Sequence, residues 1–402
     1  MPDDVVLLGV DGGATNVHVQ HVIRDRRATR DRDAEPVYQC GHASVRRTYP
    51  TATSFTPLDT DTQRAAYRAD RIRLSPAEDA QAANVVATIV AAVADVAHQA
   101  GDGRIRIGIG MPGLKTPDGT GIAVCNNGPR IPNLVGRLET GLRNAGIEVT
   151  PPITRIGSDA DYAGIGEQYA AGGRFRDVDH AYYIGGGTGL ADAMKLAGRL
   201  VPFDHARTWI AKAWQCPSER GPTFERLASA RGLNDQYAAR CGRATRNIDP
   251  ATHYPERNTA APDGRARAAV ETAAATLAEL VFERIDTVYR GRTALPHRGD
   301  AYAKLRTAHP YRGIVLERIV IGQHIGRIYA DHAHNPYFRD AFDTHLARYI
   351  TDTADDTICT RCLDRHRLRD GLVHASTLPA GAALGAAVAA DLPRGTRPAT
   401  DT

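Results

Sequence analysis

Lysine is almost missing from this 402-residue chain: it occurs only at 115, 195, 212 and 304, so arginine carries nearly all the positive charge. The formal net charge is just +4, and acidic residues interrupt even the densest basic stretch, Arg24-Asp25-Arg26-Arg27-Ala28-Thr29-Arg30-Asp31. A nucleic-acid-binding face needs concentrated positive charge, so no nucleic-acid partner is expected and this stretch reads as a solvated loop or hairpin tip. Cysteine is also sparse. The six residues Cys40, Cys125, Cys216, Cys241, Cys359 and Cys362 are scattered as reduced thiols would be, with no disulfide framework. Cys359 and Cys362, with His366 close behind, have half of a zinc-site spacing, but no second pair completes it, so structural zinc is not expected. No apolar run approaches the roughly 18 residues of a membrane span, and strand-like sequence starts within a few residues of Met1. A cytoplasmic chain with no signal peptide and no membrane partner is the expectation.

What the chain does have is two glycine-rich turns far apart, Asp11-Gly12-Gly13-Ala14-Thr15-Asn16 and Gly185-Gly186-Gly187-Thr188-Gly189, each directly after an apolar run. Glycine permits positive φ and lets backbone N–H groups approach phosphate oxygens, while Thr15 and Thr188 add hydroxyl donors. Neither turn is a GxxxxGK[ST] P-loop or a GxGxxG helix opening, so both of those nucleotide folds are disfavoured.

The first turn joins extended runs Val5 to Val10 and Val17 to Ile23, predicting a hairpin. Ser75-Pro76-Ala77-Glu78 predicts a helix start, with serine as N-cap, proline at the first position and glutamate closing a capping box. That helix runs to about Ala100 with an apolar stripe of Val85, Ile89, Val93 and Val96, then stops at Gly101. A strand is expected at Ile105 to Ile109. The second half repeats the logic: a strand at Ile153 to Ile156, a helix from Asp159 to Ala171, a strand from Ala181 into the second glycine turn, and Leu190 to Leu196 as its hairpin partner. An alanine-rich helix (about Arg265 to Tyr289), a strand ending at Gly322 and a small-residue C-terminal helix follow. Segments 240–265 and 292–313 read as loops. The length favours two lobes. We expect a two-lobed α/β fold with an interlobe cleft, the first lobe covering 1–128 plus a C-terminal helix at 376–395, the second 129–375, and a flexible tail at 392–402.

Between the glycine turns, Gly157-Ser158-Asp159-Ala160-Asp161 places a carboxylate where a helix begins, and a helix N-terminus favours the ionised form. By itself an aspartate there reads as an ordinary N-cap, but the flanking glycine turns favour a base that accepts the proton of an attacking hydroxyl. Asp11 either bonds its own turn or orients a Mg²⁺ and its waters. A metal carboxylate, two N–H-rich loops and one base suffice for phosphoryl transfer.

Taken in order, these motifs resemble the ROK family of bacterial sugar kinases and related repressors, within the actin-like, Hsp70-like ATPase superfamily with its duplicated ribonuclease H-like fold. The resemblance extends over most of the chain. It implies that Asp11, Gly12, Gly13, Thr15 and Asn16 form a first phosphate motif and Gly186, Gly187, Thr188 and Gly189 a second, with Gly322 at the adenosine site. Ile107-Gly108-Ile109-Gly110-Met111-Pro112-Gly113 resembles the strand and Pro-Gly turn before the family's substrate segment, and Asp159 takes the place of its catalytic base. Asn127, which can also be a structural turn asparagine, and Glu225 fall on its substrate-contacting asparagine and glutamate, so Gly113, Asn127, Asp159 and Glu225 form the implied substrate set. The family's CxCGxxGC zinc motif is missing: residues 203–220 offer Cys216 only. Asp192, where the family usually continues with glycines, reads as a metal helper or a hairpin cap. The implied activity is ATP- and Mg²⁺-dependent phosphorylation of a hydroxyl of a hexose, amino sugar or cyclitol by a homodimer. The alternative is a non-catalytic ROK-type carbohydrate- or nucleotide-binding protein or sensor.

Overall fold

A computed structural model describes residues 5–25, 35–101, 103–203, 206, 209–244, 255–257, 264–291 and 309–392. The arginine-rich stretch at 26–31, most of the segments expected to be loops at 240–265 and 292–313, and the tail from 393 lie outside the described residues. The chain divides into two compact units, one built from residues up to Gly173 with Leu378 onward, the other from Arg174–Thr377.

In the first unit, strand β1 (Val6–Gly12) runs antiparallel to β2 (Asn16–Asp25), which pairs with β3 (Val37–Thr48). Helices α1 (Thr60–Arg68) and α2 (Pro76–Ala100) lead to β4 (Arg104–Met111), parallel to β1. A short ribbon, β5 (Leu114–Lys115) with β6 (Ile122–Val124), precedes α3 (Leu134–Asn144). Strands β7 (Glu148–Val149) and β8 (Gly157–Ser158) both pair with β4, and β8 runs straight into α4 (Asp159–Tyr169). The sheet order is β3-β2-β1-β4-β7. Alternation along β1 assigns its two faces. Leu8 and Val10 are fully buried in the core that also takes Val85, Ile89, Val93 and Val96 of α2. Gly9 faces the other way, where a Cβ would lie 1.7 Å from the Ala383 carbonyl of the C-terminal helix Gly381–Asp391. That helix is fastened by Asp391, which accepts from Tyr38 Oη at 2.8 Å and Arg106 Nη1 at 2.6 Å.

Three expectations change here. Residues 129–173 belong to the first unit, because β7 and β8 complete its sheet and α3 packs on α2. Ile153 to Ile156 is not a strand. Pro151 and Pro152 just before it have no N–H for a ladder, and Ile153 N and Ile156 N bond instead to Glu139 Oε1 and the Gly119 carbonyl. By length and composition α2 could cross a membrane, although half of that stretch is buried in the core.

The second unit repeats the strand logic. β9 (Ala181–Gly186), β10 (Leu190–Leu196) and β11 (Arg199–Val201) form an antiparallel meander. After α5 (Phe224–Ala228), α6 (Ala230–Arg240) and the long, mostly buried α7 (Arg265–Arg290) comes β12 (Arg318–Gly322), parallel to β9. Helices α8 (Gln323–Ala330), α9 (Pro336–Asp352) and α10 (Asp356–Cys362) and the ribbon β13 (Leu363–Asp364) with β14 (Arg367–Leu368) lead to β15 (Val373–Ala375), parallel to β12. The order β11-β10-β9-β12-β15 matches β3-β2-β1-β4-β7 strand for strand, with the same directions. The fold is a duplicated α/β unit, as expected.

Candidate active site

In the first unit, pairing register brings the key residues together. Asp11 stands opposite Gly110 on one side and His18 on the other; Gly110 pairs with Gly157 and His18 with Arg46. Asp11 alternates with Gly9 onto the face that carries the C-terminal helix, and α4 packs against that same helix. Asp159, the first residue of α4, is on this face too: a Cβ at Gly110 would lie 3.4 Å from Asp159 Cα and 2.9 Å from the Tyr162 ring. The absence of a side chain at 110 is what lets the two carboxylates approach.

Their proximity has an electrostatic signature. The Asp11 carboxyl is pushed up to about 7, first by burial and then by Asp159, against the pull of Arg46. Among the described residues no hydrogen bond or ion pair engages the Asp159 carboxylate, and Ser158 makes no side-chain cap. Asp159 is therefore not the ordinary helix cap that the sequence left open. Burial and Arg46 bring His18 down to about 4, so its ring is neutral at physiological pH. Tyr49 was not legible as a site residue. It is 5% exposed, its hydroxyl has no hydrogen-bond partner among the described residues, and it feels the charges of Asp11 and Cys125.

The first glycine turn is closed by Gly13 N donating to the Asn16 carbonyl at 2.8 Å, and Thr15 is exposed, its carbonyl accepting from Tyr49 N at 2.9 Å. Contrary to expectation, none of Gly12, Gly13, Gly186, Gly187 and Gly189 has a positive φ. Smallness is what these positions need: a Cβ at Gly12 would meet Met111 Sδ at 2.1 Å. Gly113 does take positive φ, +91°, in the turn entering the β5–β6 ribbon. That ribbon leads to Asn127, whose loop is held at both ends. The buried Gln63 amide bonds both the N–H and the carbonyl of Cys125, at 2.8 and 2.9 Å. At the far end Glu78 grips Arg130 through Nε at 2.8 Å and Nη2 at 2.6 Å, both side chains being buried. Glu78 thus spends its carboxylate on Arg130 and does not close the expected capping box, although Ser75 Oγ does cap Glu78 N. Burial raises the Cys125 thiol, opposed by the N–H groups of Asn127 and Gly128.

In the second unit the glycine turn is closed by Gly187 N bonding the Gly189 carbonyl at 2.9 Å. Glu225, at the start of α5, accepts from Leu190 N at 3.0 Å, so this carboxylate braces the turn. Gly322 ends β12 opposite Gly185. The next residue, Gln323, holds a left-handed φ of +59°, unusual for glutamine, and a Cβ on Gly187 would lie 2.8 Å from its Oε1. Backbone strain of this kind has no signature in the sequence, so nothing marks Gln323 there. Asp192 is neither metal helper nor hairpin cap. It is buried, accepting from Tyr182 Oη at 2.5 Å, Arg284 Nη2 at 3.0 Å and Ala213 N at 3.0 Å. Burial works against the Arg284 charge, yet Asp192 and Glu283 hold its pKa well above the ordinary value. Among the described residues no three His, Cys, Asp or Glu side chains gather as a metal cluster.

The sequence matches no family model and no curated protein. Solved structures do match. A ROK family glucokinase from Streptomyces griseus, in complex with glucose and AMPPNP, aligns with a TM-score of 0.55 at 15% identity, covering 96% of this chain and 98% of that one. A glucokinase from Parabacteroides distasonis aligns with a TM-score of 0.50 at 16% identity and the same coverage. At such identity the likeness speaks to architecture, and with the duplicated sheet order it shows that this chain has the two-domain, actin-like α/β fold of the ROK sugar kinases.

Proposed function

We propose that the protein is an ATP-dependent kinase that phosphorylates a hydroxyl of a sugar or sugar-like polyol, and that it is a member of the ROK family. The observation that carries this reading is the approach of Asp11 and Asp159 at the ends of β1 and β8, beside a glycine turn. Asp159, in the first turn of α4 and without a hydrogen-bond partner among the described residues, would accept the proton of the attacking hydroxyl. In the turn at Gly12, Gly13, Thr15 and Asn16 the small glycines would let phosphate oxygens come close and the exposed Thr15 would donate to them, while Gly13 N closes the turn; Gly186, Gly187, Thr188, Gly189 and Gly322 take nucleotide-binding roles in the second unit by resemblance. Asn127, on a loop clamped by Gln63 and Glu78, and Gly113 at the neighbouring turn would orient the polyol, since an amide can both donate and accept. Glu225 supports the second turn through Leu190 N.

The donor set fits Mg²⁺, which commonly binds through one or two carboxylates and keeps its waters. Asp11 would hold it, through water, and its cationic charge would relieve the repulsion between Asp11 and Asp159. When bound, Mg²⁺ would neutralise phosphate charge. The decisive experiment incubates the protein with γ-labelled ATP and a panel of hexoses, amino sugars and cyclitols. Transfer of label to one class supports the reading; nucleotide binding with no transfer to any acceptor would contradict it.

A further inference from the structure

We infer that Arg46, held in place by His18, is a phosphate-binding cation of the first unit, acting beside the glycine turn on the nucleotide's β- or γ-phosphate. This rests on the kinase reading above. Arg46 lies at the third strand of the row that starts at Asp11: Asp11 pairs with His18, and His18 with Arg46, so all three side chains share one sheet face. Arg46 Nη2 lies 3.1 Å from His18 Nδ1, and His18 Nε2 lies 2.9 Å from Ser44 Oγ. Arginine can only donate, so Nδ1 must accept; the neutral ring then carries its proton on Nε2 and donates it to Ser44. The tautomer is fixed from both sides, and the ring orients the guanidinium.

A single such bond leaves most of the five N–H donors of the guanidinium for other partners. Arg46 is exposed, so those donors are accessible to a ligand. Its charge is felt at Asp11, which places it near the carboxylate assigned to Mg²⁺. The glycine turn itself contains no lysine or arginine, and Arg46 supplies the cation that its backbone donors lack. No ion pair between Arg46 and a carboxylate occurs among the described residues, and an anionic phosphate oxygen is the matching acceptor for its guanidinium.

The test is calorimetric binding of ATP, ADP and AMP, each with Mg²⁺, to the full-length protein, Arg46→Gln, Arg46→Lys and His18→Ala, with circular dichroism as a folding control. Losing a charge-assisted contact predicts that Arg46→Gln weakens ATP binding by roughly 10- to 100-fold and leaves AMP unchanged, with Arg46→Lys in between. His18→Ala should weaken ATP by a smaller factor with the same dependence on phosphate number. Unchanged ATP affinity in a folded Arg46→Gln, or equal losses for ATP and AMP, would overturn the assignment. A wild-type protein that binds none of the three nucleotides would instead overturn the kinase reading itself.

Discussion

Replacing Asp11 by asparagine should make the nucleotide-free protein more stable at pH 8, and by a large amount. The Asp11 carboxyl ionises near 3.8 in an unfolded chain but at about 7 in the fold, because burial and then Asp159 penalise its charge. Stability from the neutral carboxyl is complete below about pH 4 and is lost as pH rises through 7. Above pH 7 the folded state carries a disfavoured charge amounting to about 4 kcal/mol at ~1.4 kcal/mol per pH unit. Asp11 is partly exposed, and solvent screening cuts this to about 2–4 kcal/mol. An asparagine amide in its place is neutral at every pH. Urea unfolding from pH 4 to pH 8 should therefore show the two proteins alike at the acid end, with Asp11→Asn pulling ahead as pH rises. Mg²⁺ at pH 8 should stabilise the wild type and leave the variant unmoved. Titrating groups that do not interact with Asp11 are common to both, so their contributions cancel, and the difference reports Asp11 together with its coupling to Asp159 and Arg46. Parallel stability profiles across this range would refute the reasoning.

Three further outcomes follow from the same geometry. Gly110→Ala places a methyl group 3.4 Å from Asp159 Cα and 2.9 Å from the Tyr162 ring; it should lower stability by about 1–3 kcal/mol and reduce kcat more than nucleotide affinity, read by steady-state kinetics beside calorimetry. Arg284→Met leaves Asp192 and Glu283 buried without their cation and should destabilise by about 3–5 kcal/mol in chemical denaturation. Asp159→Asn removes the like charge beside Asp11, so the pH at which Mg²⁺ stabilisation develops should shift downward.

Local pattern carried much of the fold. The Asp11–Asn16 hairpin, the Ser75-Pro76 helix start and the second hairpin at Gly186–Leu190 depend on neighbours in sequence, and each stands where its residues predict. The division between the units did not follow from local pattern, because residues 129–173 join the first unit through pairing of β7 and β8 with β4, a strand well before them in the chain. The candidate site divides the same way. Asp11 and Asp159 were legible because glycine turns and a helix start mark them. His18, Arg46 and Tyr49 were not, since only strand register and folding bring them to Asp11. Asp192 looked like a functional carboxylate; its partner Arg284 lies 92 residues away in α7, out of reach of any motif.

The most direct test of the central claim is single-turnover phosphate transfer from γ-labelled ATP to the best acceptor, by the wild type and by Asp159→Asn. A general base at this position predicts that the variant binds Mg-ATP as before while transfer slows by about 10²- to 10⁴-fold. Transfer at the wild-type rate by the folded variant would contradict the account.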